Sequence, residues 1–103
     1  MDGKLVRDKI PRIIGESGAD PHWYVAGSQA YRRRLRDKLE EEVREVLAAD
    51  DFSAPGELAD VMEVVRALAA DLGVDPVALE KICEGKASAR GGSTGRIVWM
   101  GNR

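Results

Sequence analysis

The stretch ELADVMEVVRALAADLG, residues 57–73, constrains the fold most, because its spacing predicts a helix that is apolar on most of its sides. Its large apolar residues are Leu58, Val61, Met62, Val64, Val65, Leu68 and Leu72. Such a helix needs neighbours on most sides. A chain of 103 residues with two long helices does not readily supply them. We therefore predict a helical homo-oligomer, either a homodimer or a homotetramer.

The remaining elements follow from apolar spacing and from signals at helix ends. Apolar residues recur at helical spacing from Gln29 to Ala49, and Ser28 is a suitable N-cap for that helix. The turn DDFSAPGE then leads into the second long helix, with Ser53 as its expected cap. So short a connection favours an antiparallel hairpin. KLVRDKIPRIIGESG and DPVALEKICEGKASA predict shorter helices, so the expected fold is all-α, an antiparallel hairpin completed into a bundle by other copies.

Composition narrows the class of protein. The length indicates one domain, residues 1–103, and the β-prone run RIVWM near the end fits a terminal strand or a segment docked on a partner subunit. A net charge of -2 argues against a nucleic-acid polymer as partner. No apolar run approaches the roughly 20 residues that cross a membrane. The lone Cys83 excludes an internal disulfide, suits a reducing cytoplasm and shares an apolar helix face, which predicts a buried thiol.

Carboxylates on the two long helices are spaced so that they could meet. Glu42 and Glu45 are three residues apart, as are Glu57 and Asp60, so each pair shares a helix face. In an antiparallel hairpin, residues at equal height have nearly constant index sums. Glu42 with Asp60 and Glu45 with Glu57 share the sum 102, so the spacing permits a cluster of all four.

The position of these acids on the apolar stripe favours a bound cation. Carboxylates gathered in a half-buried groove repel one another and lose hydration, so they should protonate or bind cations. Mg²⁺ or Mn²⁺ fits an all-carboxylate set better than zinc does. Glu-rich helices are also common as solvated surfaces, and the spacing alone leaves both interpretations open.

Two motifs carry a resemblance to a known family. EEVRE, residues 41–45, followed by ELAD, residues 57–60, resembles the E-E-x-x-E and E-x-x-D signature of MazG-like nucleoside triphosphate pyrophosphohydrolases. This all-α superfamily also includes dimeric dUTPases and phosphoribosyl-ATP pyrophosphohydrolases. KLVRDKIPRII, KLEEE and RGGSTGRIV are similar to its compact, phosphoribosyl-ATP pyrophosphohydrolase-like members, so the resemblance covers most of the single domain. Those members more often have an aromatic residue where this chain has Ser93.

The resemblance implies an enzyme and a set of site residues. It implies that Mg²⁺ is bound by Glu42, Glu45, Glu57 and Asp60. With Glu41 acting beside the metal or positioning water, the predicted catalytic residues are Glu41, Glu42 and Glu45. The implied reaction cleaves a nucleoside triphosphate between its α and β phosphates, with phosphoribosyl-ATP as the alternative substrate. A non-catalytic acidic module that binds a basic partner or cations is the alternative of another class.

A triphosphate also needs basic ligands, and two regions of the chain supply candidates. Lys38 lies one turn before Glu42, where it fits either a phosphate ligand or an ion pair with that acid. Lys86 and Arg90 precede a glycine pair whose backbone could approach phosphate. Both also fit ordinary solvated bases at a helix end.

The first quarter of the chain supplies the other candidates. Lys9 and Arg7 could reach phosphates, although Arg7 could instead pair with Asp8. Trp23 offers a surface on which a nucleobase could stack. The alternative for Trp23 is that its loop packs over the helical core.

Overall fold

Helices account for all the regular structure in residues 3–103, which are the residues that the computed structural model describes. In chain order they are α1 (Ile10–Glu16), α2 (Ser28–Ala48), α3 (Ala54–Asp71) and α4 (Pro76–Arg90). A proline stands in the first turn of α1, α3 and α4, where its missing N–H costs nothing. The predicted all-α class is confirmed.

α2 and α3 form the predicted antiparallel hairpin, and a short turn built around Asp50 joins them. The Ser53 backbone N–H donates to the Asp50 carboxylate at 2.8 Å, and the Ala54 N–H donates to the Asp50 carbonyl at 2.9 Å. The Ser53 backbone bond is the main reason that the pKa of Asp50 lies below its ordinary value. At the open end, the Arg32 guanidinium contacts Asp71 at 2.9 Å.

The ends of the other helices follow their local chemistry, with one difference from the prediction. α3 closes at Gly73, whose φ of 81° allows the Val74 N–H to reach the Ala69 carbonyl at 2.8 Å. Asp75 caps α4 by accepting from the Ala78 N–H at 2.8 Å. Ser28 is the first helical residue rather than the N-cap, because Gly27 takes the extended cap conformation.

The core within one chain is small. Among residues 3–103, the side chains that are buried are those of Leu35, Val64 and Ala69, where α2 faces α3. The N-terminal segment crosses this part of the hairpin and adds half-buried Leu5 and Val6.

Much apolar surface remains outside this core. The chain exposes 8820 Å², whereas a folded monomer of its mass exposes about 5,700 Å². Its radius of gyration is 17.7 Å, against about 13 Å for a typical domain of this length. One exposed apolar stripe consists of Leu58, Met62 and Val65 on α3 and of Leu72 at its C-cap. A homo-oligomer could bury this exposed apolar surface between its copies, but oligomerisation itself stays a prediction.

Two expectations from the sequence are wrong in this structure. The run RIVWM, residues 96–100, forms no strand within the described part of the chain, whereas its docking on a partner subunit stays a prediction. Cys83 is exposed, because α4 packs on α3 alone and leaves its other faces uncovered. Among the described residues, no helix combines the length and apolar content needed to cross a membrane.

Candidate metal centre

Three carboxylates from the two helices of the hairpin meet at one level. One oxygen from each of Glu42, Glu57 and Asp60 lies within 4.8 Å of the others, and all three residues are half-buried. We call these three residues the acidic group. The hairpin turn sets this level, because it places Glu42 of α2 opposite Glu57 and Asp60, which lie one turn apart on α3.

Glu45, the fourth predicted ligand, stands beside this group rather than within it. Its side chain is exposed, and it is not among the residues whose oxygens approach one another. Its charge nevertheless helps to raise the pKa of Glu57, so the two carboxylates are near neighbours. The index sums therefore predicted the level correctly, while only three of the four acids converge in this structure.

Glu57 shows the electrostatic state of the acidic group. Partial loss of hydration raises its pKa above the ordinary 4.5, and the charges of Asp60, Glu45 and Glu42 raise it further. Glu57 stands in the first turn of α3, where the helix dipole favours a carboxylate, yet these opposing effects outweigh the dipole. Crowded carboxylate oxygens of this kind fit a hard divalent cation such as Mg²⁺ or Mn²⁺.

Glu57→Gln should stabilise the metal-free protein at neutral pH, because the amide carries no charge to be repelled. The raised pKa means that folding takes up a proton between pH 4.5 and the raised value. The unsubstituted chain therefore loses stability as pH rises through that window, and it stays less stable than the variant above it. Urea unfolding in EDTA at several pH values measures this.

The pH dependence of the urea unfolding also checks the cause of the expected gain in stability. Below pH 4.5 Glu57 is protonated in both the folded and the unfolded state, so the advantage of the variant should disappear there. The matched control is Glu84→Gln, which removes the same charge from an exposed position on α4. An equal gain from both variants at neutral pH would contradict the crowding of Glu57.

Two members of the acidic group form ion pairs with basic side chains of the same chain. The Arg7 guanidinium donates to Asp60 Oδ1 at 2.7 Å, although the two residues are 53 positions apart. Lys38 Nζ lies 3.4 Å from Glu42 Oε1, and their side chains are only 14% and 12% exposed. Lys38 therefore makes the ion pair with Glu42 that was one of its two expected roles. Within residues 3–103, no ion pair involves Glu57.

The other predicted site residues lie outside this arrangement. Glu41 pairs with Lys4 at 3.3 Å and is not a member of the acidic group. Within the described chain, no hydrogen bond or ion pair joins the acidic group to Lys9, Lys86 or Arg90, which are all exposed. Trp23 is 63% exposed, so its loop does not pack over the core of a single chain.

A cavity of about 240 Å³ lies between the N-terminal segment and the hairpin. Arg7 and Lys38, which contact the acidic group, both line it. Tyr31, Leu35 and Val64 contribute its apolar wall. The contact between Arg7 and Asp60 was missed by sequence reasoning, because no periodicity relates an irregular segment to a helix so far along the chain.

Comparisons with known proteins agree with the resemblance seen in the motifs. The model of a family described as phosphoribosyl-ATP pyrophosphohydrolase matches residues 7–86, a range that includes Arg7 and the whole acidic group. A curated Mycolicibacterium smegmatis protein, described as uncharacterized, is 43% identical over 51 residues, which are 50% of this chain and 52% of that protein. The chain thus spans about half the length of the curated relative that it matches. No solved structure matches the chain.

Proposed function

The chain belongs to the phosphoribosyl-ATP pyrophosphohydrolase family, and from this premise we propose that it is a Mg²⁺-dependent nucleoside triphosphate pyrophosphohydrolase. The family indicates a pyrophosphohydrolase, a hydrolase that acts on phosphoric anhydride bonds. The proposed reaction adds water across the bond between the α and β phosphates and gives a nucleoside monophosphate and pyrophosphate. Phosphoribosyl-ATP, named in the description of the family, is the second candidate substrate. We rank it second because this chain has Ser93 where members of that branch more often have an aromatic residue.

The observation that carries the proposal is the meeting of three carboxylates from two helices within 4.8 Å. Glu42, Glu57 and Asp60 would hold the ion, and Glu45, whose charge acts on Glu57, is the proposed fourth ligand. A bound Mg²⁺ supplies neutralisation of phosphate charge and a lowered pKa for an attacking water. Mn²⁺ has similar ligand preferences and could replace it.

The residues around the acidic group have separate tasks in the proposed reaction. Lys38 would contact a phosphate oxygen, and its position in the lining of the cavity, next to Glu42, supports this role. Glu41 would orient the attacking water, and its half-buried carboxylate is held by Lys4. Tyr31, Leu35 and Val64, which form the apolar wall of the cavity, would lie beside the bound nucleotide.

Three of the candidate substrate ligands do not reach the acidic group within one chain. Lys86, Arg90 and Trp23 are exposed in a single chain, and they would contact substrate only where a loop, tail or second copy brings them closer. We propose that a second copy covers the exposed α3 stripe, which would make the protein a homodimer or homotetramer.

Pyrophosphate release tests the enzyme against the alternative of a non-catalytic acidic module. A panel of canonical and modified nucleoside triphosphates, together with phosphoribosyl-ATP, should give pyrophosphate with Mg²⁺ and with Mn²⁺. Millimolar Mg²⁺ should also raise the melting temperature by mass action on the folded state, by more than an ionic-strength control with Na⁺ does. A rise in melting temperature without turnover of any substrate would favour a cation-binding module.

A further inference from the structure

The N-terminal strap, defined here as residues 3–8, is attached to the hairpin at three points. The Arg34 guanidinium donates to the Gly3 carbonyl at 2.7 Å, and Lys4 pairs with Glu41 at 3.3 Å. Further along the strap, Arg7 reaches Asp60 at 2.7 Å. The strap therefore has attachments that do not depend on Arg7, and its backbone can stay in place when that side chain moves.

Arg7 occupies an oxygen of a carboxylate that a metal would need. Its guanidinium contacts Asp60 Oδ1, and Asp60 is one of the three acids whose oxygens converge. A guanidinium and a divalent cation both neutralise carboxylates, but they compete when they require the same oxygen. The two side chains are 50% and 41% exposed, so their pairing is weak enough to be replaced.

The alternative position for Arg7 is the cavity that it lines together with Lys38. A volume of about 240 Å³ is below the roughly 300–1,000 Å³ of pockets that enclose whole small ligands, so it suits part of a nucleotide. The cavity is lined by two cations, Arg7 and Lys38, and by two acids, Asp8 and Glu63. A polyphosphate would therefore enter it with part of its charge neutralised by the bound metal, and it would be held by Arg7 and Lys38. A planar guanidinium also binds phosphate oxygens in bidentate fashion, which a lysine does not.

We propose that Arg7 is an internal counter-ion of the metal centre, which holds Asp60 while the metal is absent and binds the polyphosphate of the substrate once the metal takes Asp60. This inference rests on the proposed function and names a phosphate ligand for it. It has an unusual consequence, because loss of the Arg7 charge should improve metal binding and impair substrate binding at the same time.

Arg7→Gln should therefore bind Mn²⁺ about two- to fivefold more tightly than the unsubstituted chain, since a competing surface ion pair is removed. The signal of free Mn²⁺ in electron paramagnetic resonance measures this affinity without any turnover. With the most active nucleotide of the panel, KM should rise about tenfold, the scale of one charge-assisted hydrogen bond, while kcat changes less.

Arg32→Gln is the matched control. It also removes an arginine that pairs with an aspartate, at 2.9 Å, but Arg32 and Asp71 lie at the open end of the hairpin. The control changes net charge equally and removes an ion pair far from the acidic group, so it should leave the Mn²⁺ affinity and KM within about twofold of the unsubstituted values.

Each result bears on the inference in a definite way. Unchanged or weaker Mn²⁺ binding by Arg7→Gln overturns the competition for Asp60, and an unchanged KM overturns the phosphate contact. Equal shifts in Arg32→Gln would reduce both effects to net charge and would also overturn the inference. If the unsubstituted chain binds Mn²⁺ but hydrolyses no substrate, the proposed function fails while the competition is still measured. If it binds no Mn²⁺, both fail.

Discussion

Glu42→Gln should reduce pyrophosphate release by about a thousandfold or more while leaving the helical content unchanged, and Asp60→Asn should do the same. Each amide keeps one neutral oxygen but loses the charge that attracts a hard cation. The loss falls on the metal that stabilises charge on the reacting phosphate, so the rate should suffer more than from the loss of a peripheral contact. Steady-state pyrophosphate assays and far-UV circular dichroism measure the two effects.

The comparison needs a substitution of the same chemistry on the same helix. Glu40→Gln provides it, because Glu40 is 66% exposed and pairs with Arg44 on the solvent side of α2. This variant should keep its activity within about twofold, in line with the small energies of surface ion pairs. Undiminished activity in both Glu42→Gln and Asp60→Asn would exclude the acidic group as the site.

Met62→Lys should convert the proposed oligomer into an unstable monomer. Met62 lies in the middle of the exposed apolar stripe of α3, where a second copy is proposed to pack. An ammonium group buried there without a partner should cost about 3 kcal/mol or more per copy. For a domain of this size that corresponds to a fall in melting temperature of at least about 10 °C. Light scattering gives the mass in solution, and calorimetry gives the melting temperature.

Ala70→Lys is the control for Met62→Lys. Ala70 lies on the same helix but on a face that is exposed and outside the apolar stripe. The same side chain placed there should change neither the mass in solution nor, by more than a few degrees, the melting temperature. A monomeric unsubstituted chain, or an oligomer that survives Met62→Lys intact, would contradict a subunit contact along this stripe.

The hairpin and the level of the acidic group could be predicted from the sequence because both depend on regular geometry. Apolar spacing predicted the start of α2 to within one residue, and Ser53 as the cap predicted the start of α3 correctly. Once the turn is near Asp51, constant index sums place Glu42 opposite Asp60, and the structure brings these two together with Glu57.

The parts that could not be predicted depend on irregular segments and on surfaces supplied by other elements. Nothing in the periodicity of the chain places Arg7 on Asp60, because the strap that carries Arg7 has no repeating geometry. The prediction that Cys83 is buried is wrong for a different reason. A shared apolar face predicts burial only if some element covers that face, and within one chain α4 packs on α3 alone.

Glu45 shows that equal height on two antiparallel helices does not by itself bring two side chains together. The index sum places its backbone at the height of Glu57, but the side chain is exposed, and three residues rather than four converge. Side-chain direction depends on where each residue sits around its helix. Residues three apart share a helix face only approximately, because three residues turn the helix by about 300°, which leaves Glu45 about 60° around α2 from Glu42.

If a second copy covers the apolar surface that one chain leaves exposed, the small core, in which Leu35 and Val64 are the largest buried side chains, makes the lifetime of this protein depend on its concentration in the cell. A newly synthesised copy that has not yet met another has little to hold its helices together, and cellular proteases degrade such loosely held chains first. If association completes the fold, dilution shortens the lifetime of each copy. Expression level would then set both how many molecules exist and how long each one lasts.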